Sequence, residues 1–220
     1  MTDIIALTSE RGRSGKDTLV ELLRESGYNV TRVAFGDVLK HQCAHSLGHD
    51  ECSQIVMESH CHTDLKDALF EELAIENLPE TPYRDWLWYG GDGRAHIDTK
   101  APRSPRWHLQ QYGTGYRRNY LNDKDVWLRE GLKVVDAAPK DALVVVTDMR
   151  QANEYAALSI RQAHLVRLSR DWKIPEVDDV PFHATDIELR DYQMDAVVVN
   201  QWGHARGMLD QLLAQGVITA

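Results

Sequence analysis

Gly12, Gly15 and Lys16, within TSERGRSGKDTLVELL (Thr8 to Leu23), have the types and spacing to bind phosphate. Glycine lets backbone N–H groups turn toward an anion, a helix N-terminus adds its dipole, and lysine can follow the outer phosphates of a nucleoside triphosphate. The strict form of such a loop is broken twice. Glu10 stands where the first glycine would fall, and the hydroxyl expected beside the lysine is displaced by one, giving Lys16-Asp17-Thr18. Asp17 would be repelled by a polyphosphate unless it faced Mg2+-bound water or the helix N-terminus. A glycine turn that only opens a helix is the plain alternative. The flanks favour a nucleotide loop. Apolar IIALT (Ile4 to Thr8) precedes it, and the stripe Leu19, Val20, Leu22, Leu23 of a helix stopping near Gly27 follows.

A second concentration is SPRWHLQQYGTGYRRNY, from Ser104 to Tyr120. Ser104 can cap a helix whose first turn holds Pro105. Arg103, Arg106, Arg117 and Arg118 gather here with Trp107, Tyr112 and Tyr116, in a chain of formal net charge −9. Planar guanidinium forks suit phosphate and rings suit a base. A solvated basic face with its aromatics in the core is equally compatible with this composition.

A third stretch, HQCAHSLGHDECSQIVMESHCH (His41 to His62), carries five histidines and all three cysteines, but no Cys-x-x-Cys pair. Cys43, Cys52 and Cys61 are nine apart, which on one helix turns each by about half a revolution from the last. Buried thiols and solvent-facing histidines are expected in place of a zinc site.

These groups need a frame. With 43% hydrophobic and 27% charged residues, the 220-residue chain can bury one good core. Its acidity disfavours nucleic acid and anionic membrane as partners. It shows no apolar run of about 20 residues, which a membrane span needs. MTDIIALTSE lacks the form of a secretory leader, and three cysteines suit a reducing cytoplasm better than a disulfide framework. Strands are expected at Asn29 to Phe35, Ala142 to Thr147, Ala163 to Leu168 and Ala196 to Asn200. Helices are expected at Asp37 to Leu47, Asp125 to Ala137, Gln151 to Arg161 and His204 to Gln215. Such alternation predicts an α/β fold with a parallel sheet of about five strands and helices on both faces. From about Asn77 to Ser104, prolines and glycines break the rhythm, as in an irregular insertion or lid.

With these residues together, the chain resembles the bacteriophage deoxynucleoside monophosphate kinase family. SGKDT (Ser14 to Thr18) resembles the family's phosphate loop, and FGDVLK (Phe35 to Lys40) its Phe-x-x-x-Leu-Lys segment. LQQYGTGYRR resembles its Leu-Gln-x-x-Gly-Thr-Glu-x-x-Arg motif, with Gly115 in place of the glutamate. DMRQANE (Asp148 to Glu154) resembles Asp-x-Arg-x-x-Asn-Glu, while HATD (His183 to Asp186) and DAVVVNQWG (Asp195 to Gly203) resemble the closing segments. The region from about 45 to 103 is unmatched.

The resemblance implies a P-loop NTPase-type kinase domain spanning 1–220. Within it, about 45–104 would form a nucleoside-monophosphate-binding insertion and about 169–184 a lid. It implies in-line transfer of the γ-phosphoryl of ATP to a dNMP, with Mg2+ as cofactor and no general base. ATP would be held by Arg11, Gly12, Arg13, Ser14, Gly15, Lys16, Asp17, Thr18 and Arg167. Thr18, Asp17 and Asp148 would hold magnesium, partly through water. The dNMP would meet Phe35, Lys40, Gln110, Gly113, Thr114, Arg118, Asp148, Arg150 and Glu154. Lys16, Arg118, Arg150 and Arg170 would act on the transferring group.

For Arg167 the plain alternative is a surface ion pair, and for Asp148 a helix N-cap. Substrates would be ATP and dNMP, without nucleic acid or membrane, in the cytoplasm (the host's, for a phage protein), and a homodimer stays open. A kinase of the dephospho-coenzyme A type, a nucleotide-binding switch and a zinc-dependent interaction module are the competing readings.

Overall fold

Valine-rich segments make the sheet because they are covered on both faces, where β-branched side chains pack well. The computed structural model describes residues 3–91, 97–179, 182 and 187–219. The chain divides into two compact units, Met1–Phe35 with Gly131–Ala220, and Gly36–Glu130.

The first unit is built on β1 (Asp3–Thr8), β2 (Val30–Val33), β3 (Leu143–Val146), β4 (His164–Arg170) and β5 (Ala196–Asn200). They form one all-parallel sheet in the order β2-β3-β1-β4-β5, with Ile5 opposite Val145 and Leu7 opposite Val166. Every residue of β3 is buried. Helix α1 (Lys16–Glu25) buries Leu19, Val20 and Leu23 against Ile5, Leu7 and Val166, together with Met208, Leu209 and Leu212 of the C-terminal helix Gly207–Ala214. Ile4, Ala6, Val144 and Val146 lie at the alternating positions, on the opposite side of the pleat, and are buried too. The expected α/β architecture is therefore present, with each strand within a few residues of its expected span.

Edge strand β5 is sealed by side chains. Gln211 and Gln215 each exchange two hydrogen bonds with the backbone of Val199 and Val197, as a neighbouring strand would. That leaves fewer backbone groups to recruit another chain.

The second unit holds α2 (Phe35–Leu47, its first residue in the other unit), α3 (Glu51–His62), α4 (Pro82–Trp88), α5 (Pro105–Gln110) and a π-helical segment, Gln111–Tyr120. Its core is aromatic: Tyr83, Trp86, Tyr112, Tyr116 and Trp127, with Leu73, Ile75 and Leu87. Part of the stretch expected to be irregular is thus a helix, capped by Thr81 with Pro82 in its first turn. The cysteines follow expectation in part: Cys43 and Cys61 are buried, whereas Cys52 is exposed. Gly48 to Asp50 separate α2 from α3, so the one-helix argument fails, and Cys61 comes close enough to Cys43 to oppose its ionisation. Burial holds the Cys43 thiol well above its ordinary range and pushes Cys61 to about 11.

Helix α6 (Val126–Asp136) leads back to the sheet unit, and Gly131 on it lies under Phe35. A methyl at position 131 would come 2.2 Å from the Phe35 ring. Overpacking of this kind costs ~1–3 kcal/mol, more than the ~1 kcal/mol that alanine gains over glycine in a helix. Gly131→Ala is therefore expected to lower stability, read as an earlier midpoint in urea.

Candidate functional site

The sheet's chain order creates the site. From β1 the chain leaves toward β2, whereas from β3 it crosses to β4 on the other side, so the carboxyl ends of β1 and β3 border a topological switch point. Ligands of open α/β sheets gather there. The loop from Ser9 to Gly15 leaves the end of β1, and Asp148, Met149 and Arg150 leave the end of β3. The Met149 N–H donates to the Leu7 carbonyl at 3.2 Å, fastening the two exits together.

Gly15 has φ 98°, in the left-handed region, and a Cβ there would lie 2.3 Å from Asn200 Nδ2. Only glycine fits both constraints. Asn200, at the end of β5 and 5% exposed, donates to the Ser14 carbonyl at 3.2 Å. Sequence reasoning gave Asn200 no role; its position at the carboxyl end of a valine strand was the available signal. Ser14 is 2% exposed, and among the described residues its Oγ has no hydrogen-bond partner. Nor does any side chain cap the N-terminus of α1 among the described residues. A buried hydroxyl and the first turn of α1 therefore converge, with no side-chain cap on that turn among the described residues.

Lys16 Nζ donates to Ser9 Oγ, a partner not expected from the sequence. Asp17 is exposed and paired with Arg32 at 3.1 Å, so a neighbouring cation offsets its charge. Thr18 is exposed on the first turn of α1, as are Gly12 and Arg13 on the loop.

Asp148 Oδ1 accepts the Phe35 N–H at 2.8 Å, at the first residue of α2. This is capping from a distance, close to the plain alternative for this residue. Phe35, expected beside the dNMP, is 2% exposed and packs over Gly131. Glu154 is also buried: its Oε2 accepts the N–H groups of Arg150 at 2.7 Å and Gln151 at 3.0 Å. What the structure gives Glu154 is the capping of α7 (Ala152–Ile160) and the fixing of the Arg150 backbone, while Arg150 itself is exposed.

Past β4 the chain folds back over the loop. A cavity of about 620 Å³ is bordered by Glu10, Arg11 and Ser14 on one side and by Arg167 to Lys173, Asp178 and Asp179 on the other. Arg170 forks onto Asp178 at 2.7 and 2.9 Å, and Arg11 Nε lies 3.9 Å from the same carboxylate. Hydrogen bonds from Arg170 first, then from the Ile174 N–H, hold the Asp178 carboxyl down at about 2. Arg167 donates to the Leu189 carbonyl at 2.6 Å rather than to a surface acid. Glu10, standing where a glycine was expected, pairs with Arg190 at 3.0 Å. His183 to Asp186, which carry the whole of the HATD expectation, lie outside the described residues.

In the second unit, Arg103, Arg106 and Arg117 of the clustered arginines hold structural contacts. Arg106 forks onto Asp67, Arg103 donates to the Asp98 carbonyl, and Arg117 donates to Gln42 and the Tyr112 hydroxyl. Tyr112 and Tyr116 lie in the core, as the plain alternative had it. Arg118 is half-buried on the π-helical segment, with Gln110 and Thr114 exposed and Gly113 packed against Leu39. Lys40 donates to Asp37 at 2.8 Å. Segments of π-helix are rare and recur at functional sites.

Among the described residues, no three His, Cys, Asp or Glu side chains are grouped to hold a metal ion, and no helix is long and apolar enough to cross a membrane. Comparison with protein-family models and with curated proteins finds no match.

Proposed function

We propose that the chain is a P-loop kinase that moves the γ-phosphoryl of ATP to a deoxynucleoside monophosphate, yielding ADP and a dNDP. The observation that carries this reading is the loop ahead of α1. Its left-handed Gly15, its buried Ser14 hydroxyl and a helix N-terminus with no side-chain cap among the described residues, at the switch point of a parallel sheet, suit an anion.

The acceptor is a phosphate oxygen, already anionic near neutral pH, so the chemistry needs no general base. What it needs is alignment and charge compensation. Lys16 follows the donor's outer phosphates, and Ser14 with the first N–H groups of α1 holds them. Thr18 and, through water, Asp17 and Asp148 would hold the Mg2+ that neutralises those phosphates, most of its ligands being phosphate oxygens. Arg150, its backbone fixed by Glu154, and Arg170, once released from Asp178, supply guanidiniums for the transferring group. The acceptor role of Gln110, Gly113, Thr114, Arg118 and Lys40 rests on the resemblance.

Coupled measurement of ADP release against a panel of dNMPs and NMPs tests the proposal. ADP is expected only when an acceptor is present, with the matching diphosphate as second product. Equal ADP release without acceptor would make the protein a hydrolysing nucleotide switch instead. Arg118→Ala is expected to raise KM for dNMP by about tenfold and KM for ATP much less, as loss of one bond to a charged group would.

A further inference from the structure

Trp202 is 76% exposed, an unusual position for the largest side chain, yet its backbone is held firmly. The Trp202 N–H donates to Asp171 Oδ1 at 2.9 Å, and the Asp171 N–H donates to the Asn200 carbonyl at 3.1 Å. These two bonds tie the loop leaving β5 to the loop leaving β4. Gly203 follows at φ 72°, a turn that an L side chain would strain. The result is an indole presented to solvent, with its ring 5.4 Å from that of Trp172 at an interplanar angle of 67°.

Trp172 borders the cavity that reaches back to Arg11 and Ser14. At about 620 Å³, that cavity falls within the size range of small-molecule sites. Its lining brings the Ser14 hydroxyl and the guanidiniums of Arg11, Arg167 and Arg170 together with carboxylates and the Trp172 indole, against whose ring Trp202 lies.

We infer that Trp202, set against Trp172, is the stacking platform for the heterocyclic base of the donor nucleotide. This rests on the reading of the glycine loop as the donor-phosphate site. Every base has a π-face, so a rigid indole can hold one without depending on its hydrogen-bonding edge. Trp172 meets Trp202 edge to face, which braces the Trp202 ring and leaves it room for a ligand.

The test is calorimetric titration of the full chain with Mg-ATP and, separately, with Mg-tripolyphosphate, which lacks a base. In Trp202→Ala, ATP binding is expected to weaken by about tenfold, while tripolyphosphate binds as in the unsubstituted protein. Trp202→Phe, which keeps a π-face, is expected to restore most of the ATP affinity.

Equal ATP affinity in Trp202→Ala and the unsubstituted protein would overturn the inference and leave the donor loop standing. So would a matching loss for tripolyphosphate, since that would assign Trp202 to loop structure. If the unsubstituted protein bound neither ligand, the donor-site reading itself would fall, and the base platform with it.

Discussion

Lys16→Ala is expected to reduce phosphoryl transfer by about a hundredfold or more while leaving the fold intact. The lysine lies one residue after the left-handed Gly15, where α1 begins, and its ammonium already reaches back across the loop to Ser9. A donor polyphosphate on the loop would draw that ammonium from a neutral hydroxyl to an anion, a charge-assisted and stronger bond. Alanine is a good helix former, and Lys16 is neither a core residue nor a cap, so circular dichroism and melting should change little. Lys16→Arg, which keeps the charge but changes its shape and reach, is expected to recover only part of the rate. Retention of more than about a tenth of the original turnover by Lys16→Ala would remove the loop from the chemistry.

The loop was legible because its signals are local. A strand, two glycines, a lysine and an apolar helical stripe fall within Ile4 to Leu23, and each element forms close to where the sequence placed it. ALVVVT and AVVVN were legible for a similar reason: a strand covered on both faces needs no partner to announce itself.

What escaped was set by distant partners. Nothing in SERGRSG says that Asn200 will press against Gly15, or that Asp178 will face both Arg11 and Arg170. Gly113 and Gly115 disfavour a helix on propensity alone, yet the chain continues through them as a π-helix in which Gly113 gives Leu39 room. The rings around them stood open between two readings. Composition puts a tyrosine equally well against a base or in a core, and Tyr112 and Tyr116 took the core. Thr81-Pro82 was an overlooked helix start, obscured by the glycines and prolines around it.

His108 carries the second large expectation, a loss of stability between about pH 6.5 and pH 4. It is 0% exposed and belongs to the α5 helix of the second unit. Its Nε2–H donates to the Leu73 carbonyl at 2.9 Å, which leaves Nδ1 to accept the Tyr83 hydroxyl at 3.0 Å. The neutral ring therefore satisfies both nitrogens. Burial, with the Arg103 guanidinium adding to it, lowers its pKa from 6.5 to about 4, against a smaller opposing effect of the Leu73 carbonyl.

The sign follows from that depression. Above pH 6.5 both folded and unfolded chains carry this histidine neutral, and its contribution is intact. Below 6.5 the unfolded chain takes up a proton that the folded one resists, so stability falls until the folded ring protonates near 4. A drop from 6.5 to about 4, at ~1.4 kcal/mol per pH unit, comes to about 3 kcal/mol. That is a large share of a marginal fold.

Urea unfolding at stepped pH measures it directly. A double variant, His108→Leu with Tyr83→Phe, removes the titrating ring and its hydroxyl partner together. If His108 governs the acid limb, this variant should flatten the slope between pH 6.5 and 4, whatever its stability at neutral pH. An unchanged slope would assign acid sensitivity to other groups.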